Sequence, residues 1–188
     1  MDILEVKLLK ESFDIILCSG VLHHMSEPQK GLKCLLEVLK ENGYMKLGLY
    51  SELARKDIVK AREYIKRKKI ESTEENIINF REEIINDRIL ELQQFKSFSD
   101  FYSLSELRDL CFHTQEHRFT INQLQETLSS NKLKFLGFIS KQTVKSLYTK
   151  YFPEDKKQTN LQNWATFEEK YPNTFKEIYQ FSVLDTQN

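Results

Sequence analysis

Phe13-Asp-Ile-Ile-Leu-Cys-Ser-Gly-Val-Leu-His-His-Met-Ser-Glu-Pro28 is the stretch whose reading decides the fold. Phe13 to Cys18 is a short, near-continuous apolar run that ends in Ser19-Gly20. A run without in/out alternation suits a strand covered on both faces, as in a parallel sheet. Ser26-Glu-Pro-Gln29 then starts a helix, with Ser26 as N-cap, Pro28 in the first turn and Gln29 at the capping-box position. Leu32, Leu35, Leu36 and Leu39 keep helical spacing up to Asn42-Gly43, a left-handed stop. Tyr44 to Tyr50 reads as a second strand, so the opening is a βαβ unit.

Working outward, the character changes after Glu52. Residues 53 to 95 hold no glycine or proline and many charges, with apolar positions at Ile58, Val59, Ile65, Ile77, Ile78, Ile84 and Ile85. Ser72-Thr-Glu-Glu75 reads as a capping box that divides this stretch into two helices, and Ser103-Leu-Ser-Glu106 opens a shorter third. Thr120-Ile-Asn-Gln123 caps a helix carrying Ile121, Leu124 and Leu128, ended by Asn131. Lys134 to Ile139 and Tyr179 to Leu184 are strand candidates. The aromatics between them, from Tyr148 to Phe175, read as anchors for a long loop. The expected organisation is α/β: a partial Rossmann-like core at 1–52, a helical insertion at 53–118 and a returning core at 119–188.

Composition excludes several function classes. Twenty-eight basic residues balance 28 acidic ones, so no net field pulls the chain toward nucleic acid or an anionic membrane. The five glycines, at 20, 31, 43, 48 and 137, spell neither G-x-G-x-x-G nor a P-loop. Cys18, Cys34 and Cys111 are too few and too scattered for a disulfide framework. No apolar run approaches the ~18 residues of a membrane span. These features suit a soluble protein in the reducing cytoplasm.

The opening stretch resembles the fourth strand and following loop of class I S-adenosylmethionine-dependent methyltransferases. There an "FD" strand runs into "VLHH", here Val21 to His24, and then into an acidic-Pro helix start. Leu39-Lys-Glu-Asn-Gly43 stands where that family has its "LK-x-G-G" turn, with Asn42 replacing the first glycine. Leu47-Gly-Leu-Tyr-Ser-Glu-Leu-Ala-Arg55 and Asp100-Phe-Tyr-Ser-Leu-Ser-Glu-Leu-Arg-Asp-Leu-Cys-Phe-His-Thr-Gln-Glu-His-Arg118 are similar to a bacterial subgroup often joined to N-terminal tetratricopeptide repeats. The resemblance runs from about residue 2 to residue 184.

It implies the C-terminal half of a Rossmann-like methyltransferase sheet with an α-helical insertion. The family's first strand, its glycine-rich loop and its ribose-binding acid precede anything present here. The expectation is therefore a fragment of a longer protein; a partner supplying the other half, or self-pairing through the exposed fourth-strand edge, are the alternatives. The resemblance implies S-adenosylmethionine as cofactor, with Asp2 and Ile3 on the adenine side and Cys18, Ser19, Gly20 and Val21 along its methionine moiety. Tyr50 and Arg55 would face the pocket of an unknown methyl acceptor; a solvated Arg55 pairing Glu52 is the plainer alternative.

Histidine suits proton removal from an acceptor near neutral pH, which makes His23 and His24 the candidate bases. Each could instead be structural, one capping the next helix and the other packing under the adenosine. His113-Thr-Gln-Glu-His117 spells the inverted zinc-protease motif H-x-x-E-H, but it falls at a junction between two helices rather than on one helix face. Tyr102, His113, Glu116 and His117, with Arg108 and Arg118, are expected to form a polar network or a substrate wall, and no metal is expected. A non-catalytic, shortened scaffold is the reading from a different functional class.

Overall fold

The computed structural model describes residues 2–112 and 116–186. The chain divides into two compact units, residues 1–54 with 115–188, and residues 55–114.

The first unit is an α/β layer around a four-stranded sheet of order β1-β2-β4-β3. Its strands are β1 (Phe13–Ser19), β2 (Leu39–Leu49), β3 (Leu133–Phe138) and β4 (Tyr179–Asp185). Its helices are α1 (Pro28–Glu37), α5 (Ile121–Ser130), α6 (Gln142–Tyr151) and α7 (Leu161–Lys170). β1 pairs parallel with β2, whereas β4 runs antiparallel to both β2 and β3. The carboxyl ends of β1, β2 and β3 therefore share one end of the sheet with the start of β4.

α1 begins at Pro28, but its N-cap is Glu27, without a side-chain cap bond, rather than Ser26. It ends at Glu37, short of the expected Asn42. The Phe13 N–H donates to Val38 O at 2.8 Å, and Leu39 then pairs with Phe13 as the first residue of β2. Cross-strand pairing overrides the helical spacing of Leu39. The register shifts between Phe13 and Ile15, and Asn42 takes up the irregularity in the left-handed region at φ 57°.

β1 is an edge strand of this sheet, and one of its faces is open among the described residues, against the expectation of two covered faces. Ile16 and Cys18 pack toward the core, while Ile15 is 63% and Leu17 73% exposed. β2 and β4 are central instead: Met45, Leu47, Phe181 and Val183 are buried almost completely.

α5 follows its sequence signals: Thr120 and Gln123 form a reciprocal capping box, and Asn131 is the C-cap. The aromatics from Tyr148 to Phe175 do not anchor a long loop. They build α6, α7 and the core between them, where Tyr148 stacks on Trp164 at 3.9 Å and Phe138 packs edge-on to Trp164 at 5.3 Å. Asp155 ties the intervening turn by accepting from the Tyr148 hydroxyl (2.6 Å) and from the amides of Thr159 and Asn160.

The second unit is helical, with its own apolar core. It comprises α2 (Lys56–Lys68), α3 (Glu74–Ile85), two 3-10 segments (Leu90–Ser97 and Ser99–Tyr102) and α4 (Leu104–Phe112). Ile58, Ala61, Ile77, Phe80, Ile84, Phe95, Phe101 and Leu107 are wholly buried in it. α3 is capped by Thr73, whose hydroxyl accepts from the Asn76 N–H, one residue later than the expected Ser72. Among the described residues no helix is long and apolar enough to cross a membrane.

Candidate functional site

The sheet end that carries the carboxyl termini of β1 and β2 collects most of the sequence-nominated residues. β1 closes at Ser19, opposite Gly48, and the chain turns at Gly20 with φ 77°. A Cβ at Gly20 would meet nothing within 4 Å, so this turn presents backbone to open space. Cys18 is buried beneath it, and burial pushes its thiol pKa up, offset in part by a backbone hydrogen bond at Leu22. Cys18 is therefore an apolar floor rather than a nucleophile. Val21 is 43% exposed.

Leu22–His24 then forms one 3-10 turn, closed by the Met25 N–H on Leu22 O at 3.1 Å. His23 is fully enclosed and stacks on Tyr50, with centroids 3.7 Å apart and planes at 28°. His24, half-buried, sits edge-on to His23 at 4.4 Å and to Tyr50 at 5.7 Å. Two histidines from the β1 loop and the tyrosine leaving β2 thus form one ring cluster.

The segment after the second unit returns to the same place. The His117 N–H donates to His23 O at 2.7 Å, and the Phe119 N–H donates to Tyr50 O at 2.8 Å. The Glu116 side chain is 1% exposed and lies 3.5 Å from the Arg118 guanidinium. His117 lines a groove of about 340 Å³ together with Pro28, Gln29, Arg118, Phe119 and Gln123.

Other nominated residues sit differently. His113, and with it the start of the H-x-x-E-H motif, lies outside the described residues; among the described residues no cluster of three or more His, Cys, Asp or Glu could hold a metal ion. Asp2 caps the 3-10 turn Ile3–Leu9, its carboxylate accepting from the Leu4 N–H at 2.9 Å, and Ile3 packs partly against the core. Arg55 is 3% exposed, which removes the solvated alternative, and its carbonyl accepts the Val59 N–H at the start of α2. Tyr102 is 62% exposed; its hydroxyl donates to Lys96 O and its carbonyl accepts from Arg81, both at 3.1 Å within the helical unit.

Sequence reasoning missed a buried polar cluster beside Tyr50. The Ser51 hydroxyl donates to Glu168 Oε1 at 2.5 Å and the Tyr179 hydroxyl donates to Glu168 Oε2 at 2.6 Å. Burial pushes the Glu168 pKa up, and the two hydroxyl hydrogen bonds pull the other way. Burial, then the neighbouring Glu168, push the Tyr179 phenol up as well. Glu168 stands in the charged run Glu168-Glu169-Lys170, which reads as surface.

Comparison with known proteins bears on the fold. Residues 1–47 match the family model described as "Methyltransferase domain". "Uncharacterized protein syc1184_c" of Synechococcus sp. (strain ATCC 27144 / PCC 6301 / SAUG 1402/1) is 28% identical over 145 residues, 73% of this chain and 35% of its own length. Two structures of PKMT2 from Rickettsia typhi, one in complex with AdoHcy, cover 100% of this chain and 38% of their own. Their TM-scores are 0.66 and 0.65, at 17% and 19% identity. The chain thus has the methyltransferase Rossmann-like fold and resembles class I methyltransferases, and it spans little more than a third of the length of these relatives.

Proposed function

We propose that this chain forms the carboxy-terminal half of the catalytic domain of a class I S-adenosylmethionine-dependent methyltransferase. The observation that carries the reading is the open turn at Gly20, set beside the His23–His24–Tyr50 cluster at the carboxyl end of β1. Ligands in open α/β sheets bind at that end of the strands.

The residues present fit one flank of the cofactor. Ser19, Gly20 and Val21 offer backbone to its methionine moiety over the Cys18 floor, and Asp2 with Ile3 stand on the adenine side. When bound, S-adenosylmethionine supplies a methyl group activated on a sulfonium. The chain's own part is to align an acceptor and exclude water. Tyr50 and the groove at His117 hold the acceptor, with Arg118 as its charged wall and the enclosed Glu116 beside that guanidinium. His24, reachable from outside, takes the acceptor's proton, while the enclosed His23 fixes the Tyr50 ring. Three scattered cysteines, too few for a disulfide framework, suit a cytoplasmic setting.

The other flank comes from a strand that pairs with the β1 edge. Its unpaired backbone and exposed Ile15 and Leu17 suit a neighbouring strand, from an N-terminal half of the same protein or, in the isolated chain, from a second copy. The test is a ¹H–¹⁵N spectrum of the chain with millimolar S-adenosylhomocysteine. Shifts gathered at residues 18–24 are expected; shifts confined to other residues, or none at all, overturn the assignment.

A further inference from the structure

Methyl transfer as read above leaves unused a group of three enclosed polar side chains at the end of β2. Ser51 and Tyr179 are 0% exposed and Glu168 is 1%. A carboxyl group in so dry a place is costly unless its oxygens are satisfied, and here each oxygen accepts one hydroxyl. The three residues come from segments far apart in sequence: the residue after Tyr50, the last turns of α7 and the first position of β4.

The cluster bears directly on Tyr50. Ser51 Oγ also accepts the Ala54 N–H at 3.0 Å, closing the turn that follows β2. The same stretch of backbone is held by Phe119, which donates its N–H to Tyr50 O and accepts the Glu52 N–H on its own carbonyl at 2.9 Å. Tyr50 therefore leaves the sheet between two clamps, one of backbone and one anchored by Glu168. With both fixed, its ring has a defined place against His23.

We propose that Glu168 is a positioning residue for the His23–Tyr50 pair, acting through Ser51 without itself touching cofactor or acceptor. The inference rests on the reading of that pair as part of the methyl-transfer site. A Glu168 that served the core alone would alter stability and leave the ring geometry unchanged. Glutamine keeps one carbonyl acceptor, and either hydroxyl can turn to accept from its amide. Glu168→Gln should therefore preserve the clamp, and Glu168→Ala should release it.

The experiment records the His23 ring protons by ¹H–¹³C NMR in the intact chain and its variants, beside chemical denaturation. Stacking under Tyr50 holds these protons upfield. Glu168→Ala is expected to move them toward the position of a solvent-exposed histidine, while Glu168→Gln keeps them in place. Unchanged His23 resonances in folded Glu168→Ala overturn the proposal, and so does an equal loss in Glu168→Gln. Should Glu168→Ala not fold, Ser51→Ala decides, because it cuts the link to Tyr50 and leaves the Glu168–Tyr179 bond. The same shift supports the proposal and its absence overturns it. No cofactor enters the measurement, so it can fail while the methyltransferase reading stands, and the reverse.

Discussion

Ser19 pairs with Gly48 where β1 and β2 end, and a Cβ on Gly48 would stand 2.9 Å from the Ser19 Cβ and 3.0 Å from Ile178 Cδ1. The approach brings the turn assigned to the cofactor flush against β2. Gly48→Ala must push Ser19 aside, at an overpacking cost of roughly 1–3 kcal/mol. Gly20→Ala meets no neighbour and costs only its left-handed backbone, about 1 kcal/mol. Urea denaturation of the two variants should rank them in that order, and equal costs would show that the close approach is absent.

Tyr50→Leu keeps an apolar side chain but removes the ring stacked on His23. An aromatic pair contributes about 0.5–1.5 kcal/mol beyond the area it buries. A loss of at least that size is expected in chemical denaturation. A neutral result would mean that the two rings are not stacked in solution.

Glu168 and Asp155 should shape the pH profile of stability with opposite signs. Burial holds the Glu168 pKa above its ordinary value, and the nearby Glu169 pushes it the same way. The folded state therefore holds its proton more tightly, and stability from this group is full below about pH 4, where unfolded Glu begins to titrate, and declines as pH rises through the raised value. Glu168→Gln should flatten that decline in urea titrations run from pH 4 to 8.

For Asp155, burial pushes the pKa up, but hydrogen bonds from Tyr148, Asn160, Thr159 and Gln158 together hold it low. Its contribution is present above the unfolded value near pH ~3.9 and is lost as pH falls through the folded value. Asp155→Asn should cost about 1–3 kcal/mol at neutral pH, because the Tyr148 hydroxyl and two turn amides lose a charged acceptor. The variant's acid limb should also be shallower than that of the parent chain.

Leu17, 73% exposed on the unpaired β1 edge, tests the strand-pairing proposal. Sedimentation should show concentration-dependent association of the chain, and Leu17→Lys should reduce it while changing stability by no more than about 0.5 kcal/mol. Association that persists unchanged in Leu17→Lys would place the contact elsewhere.

What could be read in the sequence follows the range of the forces involved. β1, β3, β4 and α5 are set by local apolar runs and by the Thr120–Gln123 capping box, and each lies where its residues predict. The end of α1 was not legible, because Leu39 keeps helical spacing and only pairing with Phe13, distant in sequence, turns it into strand. α6 and α7 were legible in principle. Asn160 caps α7 by accepting from the Asn163 N–H, and Trp164, Phe167 and Tyr171 keep helical spacing, yet the charged residues around them read as loop. In the site, the motif nominated His23, His24 and Tyr50, and the structure joins them in one ring cluster. Ser51, Glu168 and Tyr179 carried no signal, because a buried carboxyl is recognised only by partners that tertiary folding brings to it.

The central claim is that this chain carries one flank of a methyltransferase cofactor site. Calorimetric titration of the folded, monomeric chain with S-adenosylhomocysteine tests it most directly, with Leu17→Lys in parallel to hold the β1 edge unpaired. The account predicts no micromolar binding for either protein, since it assigns only one flank of the cofactor to Asp2, Ile3 and the turn from Cys18 to Val21. Micromolar one-to-one binding by the monomer would contradict it, because the described residues would then hold the whole cofactor by themselves.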